Sequence, residues 1–286
     1  MSRNNSERLN AGGNEAPPTD VATPSGGAQP LSFAVPTEHV ELPSQGRYYP
    51  ENHPLFNQET VEIKFMTAKE EDILTSPSLV KKGLAIERLL KSIMVEKNID
   101  PGSLLIGDRN AILVASRVTG YGSDYAIKGT CPSCGTTKDW TVDLEGLDVI
   151  EGGEENAQGY DIVANGNGTF NVTLPKTGVI ATVRLLKGDD EKELGAKLQK
   201  RKKHKLHEAN LTEQLNLMIT AVNGSENISD IRNFINVIPA FDSRYLRNAY
   251  SNVVPNVDMK QHFECDECSY EGELEVPLTA EFFWPK

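Results

Sequence analysis

The 286-residue sequence predicts an α+β fold in which helical segments are combined with β-hairpins, and three observations carry that expectation. Apolar residues recur at helical spacing in several stretches, and other stretches alternate with period two. Two Cys-x-x-Cys pairs, Cys131/Cys134 and Cys265/Cys268, each lie inside a period-two stretch. The last observation predicts that two hairpins, far apart in the chain, form a split zinc-ribbon-like four-cysteine site.

Residues 1–40 are rich in Asn, Ser, Gly, Pro and Ala and poor in large apolar groups, so they bury too little surface to offset chain entropy. A disordered N-terminal tail is expected there, followed by one α+β domain over 41–286. "VEIKFM" alternates as a strand, with Val61, Ile63 and Phe65 on one face. Thr67 or Ala68 opens a short helix with acids in its first turn, and Pro77 ends it. In "LVKKGLAIERLLKSIMVEK", Ile86, Leu89, Leu90, Ile93 and Met94 form one helical stripe. A further helix is expected in "IDPGSLLIGDRNAILVASRVTGYG", starting near Asp100 or Ser103 and broken by Gly120 and Gly122.

From Tyr125 the period changes to two, and "YAIKG" and "DWTVDL" flank the first cysteine knuckle as a hairpin. A long acidic, Gly-rich connection leads into "FNVTLPKTGVIATVRLL", a second hairpin turning at Lys176-Thr177-Gly178. The acids of "GDDEKEL" and the bases of "KLQKRKKHKLHE" then stand in the order a helix dipole prefers. Three more helices are expected: "LTEQLNLMITAVNG", with Leu211, Leu215, Met218 and Val222 in register and Gly224 as cap, then "ISDIRNFINVIP" and "FDSRYLRNAYSNV". "MKQHFECDECSYEGELEVPL" is the second hairpin-like knuckle. The apolar end "FFWP" has two readings, an interface anchor or a segment folded back on the core.

Zinc favours four ligands in tetrahedral array, and a Cys-x-x-Cys turn points two sulfurs at one ion. Cys131, Cys134, Cys265 and Cys268 are therefore the candidate ligands of one structural Zn2+. Four thiolates leave no open position for substrate, which argues against metal catalysis. A redox dithiol pair is an alternative, as is a site of three cysteines with His262.

The formal charge of −12 has the wrong sign for a protein that neutralises phosphates. No apolar run reaches the roughly 18 residues that a membrane helix needs, and no signal-type segment opens the chain, so a soluble cytosolic product is expected. His39, His53, His204, His207 and His262 are scattered, and neither a P-loop nor a G-x-G-x-x-G occurs. Asp108, Arg109 and Arg117 are expected to form exposed ion pairs on a helix face, and Asp242 to be a helix N-cap. No catalytic residue and no enzyme activity is expected.

Several of these segments, taken in succession, resemble a known family. "LPSQGRYYP", "IKFMTAKEEDIL", "LLIGDRNAILVASRVTGYGSDY", "CPSCG", "LPKTG", "CDEC" and "FFWP" are similar to the zinc-knuckle baseplate proteins of T4-like contractile-tailed bacteriophages, often labelled baseplate hub proteins. The resemblance runs from about Leu42 to the end. It implies a non-enzymatic structural or assembly component of the virion tail baseplate, made and assembled in the host cytoplasm. Its partners would be other baseplate and tail subunits, with no small-molecule substrate. The alternative is a nucleic-acid-binding zinc-ribbon module that uses Lys197 to Lys205 as its contact.

Overall fold

A computed structural model describes residues 34–203, 210–276, 278 and 280–283. Strand β1 (Thr37–Glu41) pairs antiparallel with β2 (Thr60–Lys64), and Val40, Val61 and Ile63 point inward. β1 begins before residue 40, the expected end of the tail; residues 1–33 of that expected tail lie outside the described residues. Helix α1 (Ala68–Thr75) opens as expected, because the Glu70 carboxylate accepts the Thr67 amide at 3.0 Å. Pro77 does more than end α1: it starts α2 (Pro77–Lys82), which the left-handed Gly83 closes. The expected apolar stripe belongs to the next helix, α3 (Ala85–Ile93), where Leu89, Leu90 and Ile93 are buried.

Asp100 caps only a short 3-10 turn, Pro101–Ser103, and the long helix α4 (Ile106–Tyr121) starts afterwards and stops at Gly122. β3 (Asp124–Thr130) and β4 (Thr137–Asp143) form the first knuckle hairpin. β5 (Val149–Ile150) is a short strand within the acidic connection, and β6 (Ile162–Ala164) follows that connection. β7 (Thr169–Thr173) and β8 (Ile180–Arg184) are the expected second hairpin. Helix α5 (Gly188–Lys203) carries Asp189, Asp190 and Glu191 in its first turn; the end of the basic stretch, residues 204–209, lies outside the described residues.

The helix expected to run to Val222 is cut short. α6 (Asn210–Met218) gives way to β9 (Ile219–Val222), which completes a four-stranded antiparallel sheet in the order β6-β7-β8-β9. Ile219 and Ala221 point into the core, and β-branched Ile219, Thr220 and Val222 suit a pleated surface better than a helix. α7 (Ile228–Val237), capped by Asn227, and α8 (Ala240–Val253) follow as expected. β10 (Asn256–Val257) pairs with β5, and β11 (Lys260–Glu264) with β12 (Glu271–Glu275). A 3-10 turn, Ala280–Phe283, comes last.

The fold is therefore α+β, and one continuous core joins α3, α4, the four-stranded sheet and α8. Phe282 and Phe283 settle the question of the apolar end for themselves: both are buried, and Phe282 meets Tyr125 edge-on at 5.0 Å. They are core residues and not interface anchors; Trp284 lies outside the described residues.

Candidate metal centre

The two knuckles repeat one geometry. In the first, the Cys131 amide donates to the Thr136 carbonyl at 2.9 Å and the Gly135 amide to the Cys131 carbonyl at 2.9 Å. In the second, the Cys265 amide donates to the Tyr270 carbonyl at 2.9 Å and the Ser269 amide to the Cys265 carbonyl at 2.8 Å. The residue after the second cysteine is left-handed in both, Gly135 with φ 75° and Ser269 with φ 50°. Glycine adopts this without cost, whereas Ser269 accepts a strain of about 1 kcal/mol. The turn that aims two sulfurs the same way is kept even where the residue resists it.

Each knuckle caps its own two-stranded sheet, β3-β4 or β11-β12, and the two sheets do not hydrogen-bond into one. Side chains join them. Phe263, two residues before Cys265 on β11 and so on the same face, is buried with Cys131 and Cys265, and Trp140 of β4 stands edge-on to it at 5.7 Å. Tyr270 and Leu274 close this small core. Gly129 on β3 makes room for it, since a β-carbon there would stand 3.0 Å from the Phe263 ring. Lys138 spans the hairpins to Asp266 at 2.8 Å, an exposed pair worth little by itself.

Across this interface the Sγ atoms of Cys131 and Cys268 lie 3.6 Å apart, and those of Cys134 and Cys265 3.7 Å apart. All four sulfurs fall within 4.8 Å of one another. These separations are far longer than a disulfide bond of about 2.05 Å, and the four thiols are free. Together they could hold one metal ion, closing a loop whose ends are 131 residues apart at Cys134 and Cys265. His262 does not join them: it is exposed on β11, opposite Glu273.

The electrostatics of the cluster favour a cation. Cys134 accepts from the Thr136 hydroxyl and amide, which brings its thiol down to about 6. Cys268 is pushed up to about 12 by desolvation and by the neighbouring thiols. One thiolate forms readily and opposes the next, and a divalent cation relieves that opposition.

Other expected sites have different roles. Asp108 and Arg117 are fully buried and are not surface ion pairs. Asp108 accepts the Ser44 amide at 2.9 Å, the Ser44 hydroxyl at 2.6 Å and the Tyr49 hydroxyl at 2.8 Å, fastening the loop after β1 to α4. Arg117 donates to the carbonyls of Phe282 at 3.0 Å, Gly122 at 2.7 Å and Asp124 at 3.3 Å, fastening the C-terminal turn and the start of β3 to α4. Of the three, Arg109 is the one in a surface pair, with Glu191 of α5. Asp242 is not an N-cap, a position held by Pro239. Its buried carboxylate accepts the amides of Lys176 and Thr177, each at 3.0 Å, and the Thr177 hydroxyl at 2.8 Å.

One serine–histidine contact has the spacing of a catalytic dyad but is wired in the opposite sense. His53 Nδ1 accepts the Leu55 amide at 3.1 Å, so Nε2 carries the proton and donates to Ser103 Oγ at 2.8 Å. The Ser103 hydroxyl in turn donates to the Asp100 carbonyl at 2.7 Å. A histidine committed to donating toward the serine takes no proton from it, and the contact serves to hold the loop against the 3-10 turn.

No helix among the described residues is long and apolar enough to cross a membrane. No curated protein and no solved structure matches the chain. Residues 35–284 match the family described as T4 bacteriophage base plate protein, a span that includes both knuckles and most of the chain. The chain belongs to that T4 bacteriophage base plate protein family.

Proposed function

We propose that this protein is a non-enzymatic structural or assembly component of the hub region of a contractile-tail baseplate, acting through contacts with other tail and baseplate subunits. The family match over residues 35–284 carries this reading and supports a role in the virion tail.

Within that role, Cys131, Cys134, Cys265 and Cys268 are the four ligands of a structural Zn2+. A regular tetrahedron with Zn–S bonds of about 2.3 Å has edges of about 3.8 Å. The sulfur separations of 3.6 and 3.7 Å are close to that length. The ion would hold the β3-β4 hairpin to the β11-β12 hairpin and, with four protein thiolates, would offer no position to a substrate. The nucleic-acid reading gains no support: the second knuckle hairpin is itself acidic, with Glu264, Asp266, Glu267, Glu271, Glu273 and Glu275.

Metal analysis of the purified chain, together with quantitative mass spectrometry of baseplates and their assembly intermediates, tests the proposal. The expected result is about one zinc per chain and recovery of the protein with baseplate material. A chain absent from every tail assembly and bound to nucleic acid at physiological salt would refute it.

A further inference from the structure

The corner between α7 and α8 breaks the usual rule for large apolar side chains. Val237 is 76 % exposed and Phe241 57 % exposed, and Pro239 and Ala240 between them are exposed as well. An exposed apolar run of this kind normally marks a contact surface. The corner is also held rigidly. Asp242, with no exposure of its own, spends its carboxylate on the Lys176 and Thr177 amides and the Thr177 hydroxyl, fixing the start of α8 to the β7-β8 turn. A buried carboxylate thus positions an exposed phenylalanine, and an anchor ordered in advance loses little entropy on binding.

The charges beside the corner show what it would fit. Lys176 Nζ lies 5.1 Å from the Phe241 ring centroid, and exposed Arg244 is one helical turn along the same face of α8. The Asp242 carboxylate is used up within the corner, and neither Lys176 nor Arg244 forms an ion pair among the described residues. This is a cationic, apolar knob on a chain whose formal charge is −12. A two-fold pairing of the knob with itself would set lysine and arginine against their own copies, which disfavours a second copy as the occupant.

We infer that the α7-α8 corner is a docking knob for a different protein, one that presents an apolar pocket for Phe241 and Val237 rimmed by carboxylates for Lys176 and Arg244. The inference rests on the reading that this chain works by protein contacts. It adds where one contact lies and what chemistry faces it.

The test replaces Phe241 with the photo-crosslinker p-benzoylphenylalanine in the full chain during tail assembly, and identifies crosslinked peptides by mass spectrometry. A crosslink to a carboxylate-bearing, apolar segment of another protein supports the knob; a crosslink to a second copy, or none in assembled material, overturns it. If the captured protein is not a tail component, the knob stands and the baseplate role falls, so the two failures are distinguishable. In parallel, the charge reversal Lys176→Glu/Arg244→Glu should leave the melting temperature within about 2 °C of wild type, as surface changes do, and reduce incorporation about tenfold. Unchanged incorporation would also overturn the inference.

Discussion

Two regions of this molecule fasten distant pieces of chain, and they do it by different means. Around α4 and α8 the apolar core is large, and charged side chains act as ties within it: Asp108 to Ser44 and Tyr49, Arg117 to Phe282, Asp242 to the β7-β8 turn. At the knuckles only Cys131, Phe263 and Cys265 are buried together, and four sulfurs converge in place of a tie. A core that small supplies little apolar burial, and small cores of this kind need a staple. The lesson is that a buried carboxylate refines a region that apolar burial already stabilises, while the small core at the knuckles sits beside four thiols that could hold a metal ion. Loss of a tie should weaken the whole domain by a measurable amount; loss of the clasp should release the hairpins while the rest stays folded.

The largest effect is expected from Cys131→Ser. The metal content should fall to a small fraction of wild type, and amide exchange should rise across residues 128–139 and 260–275. Protection in α3 and α4 should be retained. The Trp140 fluorescence should shift as its edge-on contact with Phe263 is lost.

Asp108→Ala comes next and probes the other region. It strands three donors in a buried site, and a cost of about 3 kcal/mol is expected, read as a lower denaturant midpoint with metal content unchanged. If this variant also lost the metal, the two regions would not be independent. Asp242→Ala should cost about 2 kcal/mol, since it frees two amides and a hydroxyl nearer the surface.

The smallest effect sharpens the electrostatic side of the comparison. Burial works to raise the Asp190 carboxyl, but the two-pronged contact with Arg184 and the Lys187 amide outweigh it and hold it below the ordinary 3.8. A depressed carboxyl stabilises the fold above the unfolded value and loses that contribution as pH falls through the folded one. The stability gap between wild type and Asp190→Asn should therefore be about 1 kcal/mol at neutral pH and close below pH 4, as followed by denaturant titration across that range.

Much of this was legible in the sequence. The cysteine spacing, the period-two stretches around it and the helix boundaries at Thr67 and Gly122 are local signals, and each marks a hairpin or a helix boundary that the structure contains. What was hidden depends on contacts between distant residues. Asp108 and Arg117 look like surface charges on a helix until the Ser44 loop and the Phe282 turn arrive to cover them. Met218 to Val222 continues an apolar helical period, and only the open edge of β8 makes it a strand. At the candidate metal centre the four cysteines were readable, but the packing that brings them together was less so. Alternation alone places Phe263 on the face of Cys265, whereas its contact with Trp140 belongs to the other hairpin.

Hydrogen–deuterium exchange on the full chain before and after chelation, with the metal released measured in the same samples, tests the clasp most directly. The account predicts about one zinc released per chain. Exchange should rise sharply over residues 128–139 and 260–275, with α3, α4 and the four-stranded sheet still protected. Chelation that removes the metal and leaves both hairpins as protected as before would contradict it.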